Sequence, residues 1–319
     1  MNEKYRKVFR LIKPLFSVCI ACFIIAILLL KLWQHHNILF EQNIFLSPVG
    51  IILSLPFLIL SYFFIPYMWC MILESLEVSV SYRKAFQIQY LSHLGKYIPG
   101  KVWPCLAQSY LASQAKIPIK TTLLSNTILM YLMSVGSLLV FAISFLAWNI
   151  FPLSIRYLLV FLSFFLAYMI FSKKILEKCI NFLIKNFKSV NIIFLEKFLN
   201  YPSLFTALFL NWVIFWIGFY LMINSFYDIA LDQSIIIVGT FSISWLVGYY
   251  AFLSPGGLGI QEGVQVYLLQ FFFPLPISIV IAFAARLWMT IGDLCISLLA
   301  VALLIYEHRS QESVHGASL

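Results

Sequence analysis

Two clusters of helix-breaking residues are the parts of this sequence that could do chemistry. Residues 95–104 read Gly-Lys-Tyr-Ile-Pro-Gly-Lys-Val-Trp-Pro, and residues 254–263 read Ser-Pro-Gly-Gly-Leu-Gly-Ile-Gln-Glu-Gly. In each cluster a Pro-Gly pair comes before the predicted start of a helix, at Val102 and at Gln261. A helix that starts inside a membrane directs unpaired N–H groups and a positive dipole end at whatever lies there. Both starts therefore favour an anionic ligand.

Charged side chains complete the candidate site. A charge in hydrocarbon costs about 2.5–3.5 kcal/mol on insertion scales, so each one needs a partner or a function. Arg286, within the last apolar run, could pair with Asp293 seven residues further on or with Glu262 on the neighbouring helix. We predict a substrate-binding site for an anionic headgroup that carries an apolar tail. Its candidate residues are Lys96, Tyr97, Pro99, Gly100, Lys101, Trp103, Gln108, Pro255, Gly256, Gly257, Gly259, Gln261, Glu262 and Arg286.

Composition identifies the surroundings of this site as a membrane. Of the 319 residues, 62% are hydrophobic and only 10% are charged, too few for a soluble fold of this length. No segment is long and polar enough to form a basic surface for nucleic acid, so we expect no nucleic-acid partner. The sequence predicts an all-α, polytopic bundle with about seven to eight spans. Seven runs can be marked, at 14–33, 49–73, 121–148, 154–172, 203–224, 234–253 and 277–305.

The remaining segments divide one integral membrane domain, 1–319, into parts. Two half-length helices at 82–117 favour a first broken, re-entrant segment over an interfacial pair, and 254–274 is the second broken segment. The parallel placement of these segments hints at an internal duplication. The other parts are a basic end at 1–13, an amphipathic linker at 173–200 and a polar tail at 306–319.

Positive charge predicts the orientation. With the N-terminus in the cytoplasm, 18 of the 21 Lys and Arg residues lie on the cytoplasmic side, while Lys31 and Arg156 lie outside and Arg286 is intramembrane. We therefore expect a multi-pass protein of a bacterial-type inner or plasma membrane, with the basic end and the linker in the cytoplasm.

At the two breaker clusters the chain resembles the transmembrane region of the lysylphosphatidylglycerol synthases, a flippase-like family. The similarity rests on Gly95 to Trp103, on Pro255-Gly256-Gly257-Leu258-Gly259 followed by Glu262-Gly263, and on Arg286. It implies an inner-membrane protein that moves lipids or lipid-linked sugars between leaflets, without the soluble synthase domain of larger members. The family often has Arg just before the Glu, where this chain has Gln261.

Enzyme chemistry finds little support in the sequence. The five histidines and six cysteines form no catalytic set, zinc spacing or nucleotide loop, so we predict no catalytic residue, metal or cofactor. The first functional hypothesis is a translocase for an anionic phospholipid or a polyprenyl-phosphate-linked saccharide. The alternative is a non-transporting membrane partner in envelope lipid or polysaccharide assembly, which would dock through 173–197. A homo-oligomer and a complex with such a partner both stay open.

Overall fold

The computed structural model describes residues 22–34, 47–97, 102–171, 202–251 and 254–316, and over these ranges the chain consists of helices joined by short turns and loops. The basic end, the 173–200 linker, Pro99, Gly100 and Lys101 lie outside them. Three short 3-10 turns are Leu94–Tyr97, Phe145–Ala147 and Pro255–Gly257. The α-helices are α1 (Cys22–Gln34), α2 (Pro48–Ser75), α3 (Tyr82–His93), α4 (Trp103–Gln114), α5 (Ile119–Ser144), α6 (Leu153–Phe171), α7 (Pro202–Asn224), α8 (Leu231–Tyr250), α9 (Ile260–Leu269) and α10 (Leu275–Gly316).

Five helices of the described chain are long and apolar enough to cross a membrane, which makes this a multi-pass membrane protein. They are Pro48–Ser75, Ile119–Ala147, Pro202–Asn224, Leu231–Tyr250 and Leu275–Glu307. Large apolar side chains such as Phe209, Leu287 and Leu298 are exposed on them, as lipid-facing surfaces require. The helices match five of the predicted spans. The helices α1 and α6 overlap the predicted spans 14–33 and 154–172, and their described apolar parts are shorter. Residues 14–21 and 172 of those spans lie outside the described ranges.

The first broken segment consists of two helices of 12 residues each, α3 and α4, joined through the Leu94–Tyr97 turn. Ser81 caps the start of α3 by accepting a hydrogen bond from Lys84 N. Gly95 allows the turn to press against the start of α4, because a Cβ atom there would lie 3.0 Å from Pro104 N. A helix of 12 residues is about 18 Å long, which is too short to cross the hydrocarbon core.

The second broken segment follows α8, which ends at Tyr250, before the predicted end of that span at 253. Gly256, Gly257 and Gly259 have φ angles of 57°, 76° and 79°, in the left-handed region that favours glycine. A Cβ atom on Gly257 would lie 3.0 Å from the carbonyl oxygen of Gly248. The chain therefore turns back sharply onto the end of α8 before α9 begins.

Aromatic packing holds the helices around the two breaks. Phe219 of α7, Phe241 of α8 and Trp288 of α10 are buried against one another, with ring centroids 4.9 Å apart for the two Phe residues and 5.7 Å apart for Phe219 and Trp288. Trp288 Nε1 also donates to Ser54 Oγ of α2 at 2.9 Å. Because buried aromatic rings bring large apolar areas together, this cluster holds α10, which carries Arg286 and Asp293, against α7 and α8.

Candidate functional site

The two broken segments meet in the structure. The Leu94–Tyr97 turn contacts the Pro255–Gly257 turn directly. A Cβ atom added to Gly256 would lie 3.3 Å from the carbonyl oxygen of Lys96 and 3.4 Å from Arg286 Nη2. Residues from the two predicted clusters and from the last span therefore share one location.

Lys96 is paired with an acidic residue of α10. Its Nζ lies 2.5 Å from Asp293 Oδ2 and 2.8 Å from His93 Nε2. The same imidazole nitrogen lies 3.3 Å from Asp293 Oδ1. The Asp293 side chain is only 3% exposed, whereas Lys96 and His93 are partly exposed. We call these three residues the lysine triad.

Packing around the triad changes the proton affinity of its basic groups. Burial lowers the pKa of Lys96 below its ordinary value, and the adjacent Asp293 carboxylate opposes that shift. Burial also lowers the pKa of His93, and the positive charge of Lys96 lowers it further, while Asp293 acts in the opposite direction. A pKa below the ordinary value of 6.5 favours the neutral form of the imidazole at pH 7.

Arg286 is paired with Glu262, which decides between the two partners considered from the sequence. Its Nε lies 3.4 Å from Glu262 Oε1, Nη1 donates to Gln261 Oε1 at 3.1 Å, and Nη2 donates to Gly256 O at 3.0 Å. Asp293, seven residues further on, is about 10 Å away along the helix axis, at 1.5 Å per residue. All three nitrogens of the guanidinium therefore face the second broken segment.

Glu262 reduces the positive charge that the sequence predicted at the start of α9. Its Oε2 accepts a hydrogen bond from Gly259 N at 2.6 Å, so the carboxylate caps the helix and offsets the positive dipole end. Its Oε1 is buried and has no hydrogen-bond partner among the described residues; the contact with Arg286 is an ion pair without a hydrogen bond. The Glu262 carboxylate thus already occupies part of the helix N-terminus that was predicted to bind an anionic ligand.

Over the described residues, the site balances two basic side chains with two carboxylates. Lys96 is matched by Asp293, and Arg286 by Glu262. The sequence predicted an excess of positive charge from Lys96, Lys101 and Arg286, without assigning a carboxylate to each. Among the described residues of the site, the cluster is closer to a pair of ion pairs than to a purely cationic pocket.

The other candidate residues lie in different surroundings. Gln108 joins an amide chain, since its Nε2 donates to Gln89 Oε1 at 2.8 Å and its Oε1 accepts from Asn126 Nδ2 at 2.7 Å. Trp103 is 45% exposed at the start of α4. Tyr97 ends the first 3-10 turn and Pro255 begins the second.

His93 and Asp293 are the two members of the site that sequence reasoning left out of the candidate list. Two signals pointed to them. His93 precedes Lys96 by three residues, a spacing that places side chains on one helix face, and Asp293 is a charge inside an apolar span.

The site thus belongs to a multi-pass helical membrane protein with a buried charge cluster where two broken segments meet. No group of three His, Cys, Asp or Glu side chains in the described ranges could hold a metal ion. Comparisons with protein-family models, curated proteins and solved structures find no match. The resemblance to the lysylphosphatidylglycerol synthase membrane region therefore stays a prediction from sequence.

Proposed function

We propose that this protein is a translocase that carries an anionic lipid, or a lipid-linked saccharide, across the membrane. The observation that supports the proposal is the contact between the two broken segments, with Lys96 and Arg286 beside that contact. A phosphate group is the natural competitor for both side chains, because charge-assisted hydrogen bonds to phosphate and to carboxylate have the same geometry. In the proposed cycle the headgroup exchanges with Asp293 or Glu262.

Stability alone gives a weak reason for keeping four charges here. Replacing a buried ion pair with apolar residues of similar volume is often neutral or stabilising, whereas removing one partner is strongly destabilising. A chain that is 62% hydrophobic could fill this space with apolar side chains. Retaining both pairs at the meeting point of two breaks suits a site whose ionic contacts are exchanged during function.

An exposed apolar face lies next to the charge cluster. Val102, Trp103 and Leu106 are 61%, 45% and 56% exposed along the start of α4, immediately after the first break. This face would let acyl or polyprenyl chains remain in the bilayer while the headgroup enters the cluster. The proposal includes the features inferred from sequence: seven to eight spans, a re-entrant 82–117 segment, a cytoplasmic N-terminus in a bacterial-type inner membrane, and relationship to the flippase-like family.

The test is lipid movement by the purified full-length chain in phosphatidylcholine liposomes. Fluorescent phosphatidylglycerol serves as the probe, and dithionite, added outside, reports how much probe reaches the outer leaflet. We expect the wild type to move the probe and E262Q/R286Q to lose most of that movement, because the variant lacks the Arg286 charge that would bind the headgroup. The variant should still fold, since both charges are removed and neither is left unpaired. The matched control is R83Q/E307Q, which removes an ion pair with a 2.8 Å contact between α3 and α10 outside the cluster.

The controls separate the classes of function. Equal movement by the wild type and by a well-folded E262Q/R286Q variant would exclude a role for this cluster in translocation. No movement by the wild type would instead favour the non-transporting envelope partner. An enzyme would convert the lipid in detergent, where no leaflets exist, and that result would exclude both.

A further inference from the structure

We propose that His93 is a proton-binding site that couples proton uptake to headgroup binding at Lys96. This inference rests on the proposed function, because it assigns the ion that binds together with the anionic lipid. It concerns one ring nitrogen, His93 Nε2, which lies 2.8 Å from Lys96 Nζ and 3.3 Å from Asp293 Oδ1.

The two contacts of that nitrogen require different protonation states. A neutral ring with its hydrogen on Nδ1 can accept at Nε2 from the Lys96 ammonium, but it cannot donate to Asp293. A ring protonated at Nε2 can donate to Asp293, but it then loses the Lys96 contact and repels the ammonium group. One proton therefore decides whether His93 contacts Lys96 or Asp293, while the Lys96–Asp293 contact of 2.5 Å is compatible with both states.

The groups that face His93 are few. Asp293 faces it from α10, Lys96 from the Leu94–Tyr97 turn and Tyr90 from its own helix, with ring centroids 6.3 Å apart. Over the described ranges, α2 and α4, which also pack on α3, bring no charged side chain into hydrogen-bond or ion-pair contact with His93. Arg286 adds repulsion to Lys96 from the other half of the site. Burial and the Lys96 charge lower the pKa of His93, which agrees with a neutral ring.

Charge makes the coupling reciprocal. With a neutral ring, Lys96 and Asp293 cancel, and protonation gives the three side chains a net charge of +1. An anionic headgroup binds the +1 state better, so its arrival raises the affinity of His93 for a proton by the same factor. Coupled sites typically change affinity by about 5- to 150-fold, and we expect an effect within that range.

The first measurement is proton uptake on ligand binding. The full-length chain in phosphatidylcholine nanodiscs is mixed with dioctanoyl phosphatidylglycerol in weak buffer containing a pH indicator. We expect the wild type to take up protons and H93Q not to. H93N serves as the second non-titrating variant if H93Q folds poorly. The control H308Q also removes a histidine, about 22 Å along α10 from Asp293 at 1.5 Å per residue, and we expect it to behave like the wild type.

The second measurement is lipid movement in liposomes under an imposed proton gradient. We expect the gradient to change the wild-type rate at least about fivefold, and the H93Q rate to be the same with and without it. If the wild type moves lipid without proton uptake, or H93Q takes up as many protons, the coupling is wrong and the translocase proposal stands. If no lipid moves but uptake depends on His93, the translocase proposal fails and the proton site is supported.

Discussion

Removing Arg286 alone should unfold the second broken segment more readily than removing the whole ion pair. In Arg286→Ala the Glu262 carboxylate, 2% exposed, keeps its charge without a counter-charge, and Gly256 O loses its donor. Breaking a buried pair in this way costs about 3–5 kcal/mol. Adding Glu262→Gln removes the stranded charge and keeps the cap, because Gln at this position can still accept from Gly259 N. We expect the double variant to recover about 2 kcal/mol of that loss.

The assay is reversible unfolding in mixed micelles of SDS and a nonionic detergent, analysed as a double-mutant cycle. The surface pair between Arg83 and Glu307, whose side chains are 43% and 32% exposed, provides the comparison. Its coupling energy should be about 0–1 kcal/mol. A coupling for Arg286 and Glu262 no larger than that of the surface pair would refute the claim that their contact holds the second break in place.

Three further predictions concern stability. Gly257→Ala should lower the free energy of unfolding by more than the roughly 1–2 kcal/mol that a left-handed backbone costs a non-glycine residue, because the new Cβ would also lie 3.0 Å from the Gly248 backbone. Gly256→Ala, whose nearest contact would be 3.3 Å, should lower it by less in the same unfolding assay. Gln108→Leu removes a hydrogen-bond partner from Gln89 Oε1, which is buried, and from Asn126 Nδ2, which is partly buried, and should cost about 1–3 kcal/mol in the same unfolding assay. Because the pKa of His93 is lowered in the folded state, the stability that the neutral imidazole contributes is present above the ordinary value of 6.5 and is lost as pH falls below it. The melting temperature of the wild type should therefore fall more on acidification than that of H93Q.

Hydropathy could place the long helices because a run of about 20 apolar residues has few alternatives to a membrane helix. It could not place their ends. The run 277–305 marks apolar residues, whereas α10 extends from Leu275 to Gly316, since a helix continues into polar sequence as long as nothing breaks it. The run 234–253 excludes Asp232, yet this residue lies in the first turn of α8, where a carboxylate interacts favourably with the helix dipole.

Ionic partners were harder to predict than helices. Sequence reasoning brought the two breaker clusters together because each contained Pro-Gly and charges, and the structure has them in contact. It could not pair Lys96 with Asp293, because the two residues are 197 positions apart and their contact depends on how α3 packs on α10. The cap that Glu262 provides to α9 follows from local spacing and could have been found, since Glu at the third helical position is a known capping residue.

The balance of charge in the cluster separates a structural role from a transport role. If the ion pairs only hold α9 and the two turns together, E262Q/R286Q should lose stability and lipid movement in proportion, and any apolar pair that restored stability would also restore movement. If the charges bind a headgroup, E262Q/R286Q should fold and still fail to move lipid. The glutamine amides can form hydrogen bonds with phosphate, but they do not supply positive charge. Both roles therefore predict that E262Q/R286Q loses lipid movement. The stability of that variant, and lipid movement by a stable variant with an apolar pair, distinguish the two roles.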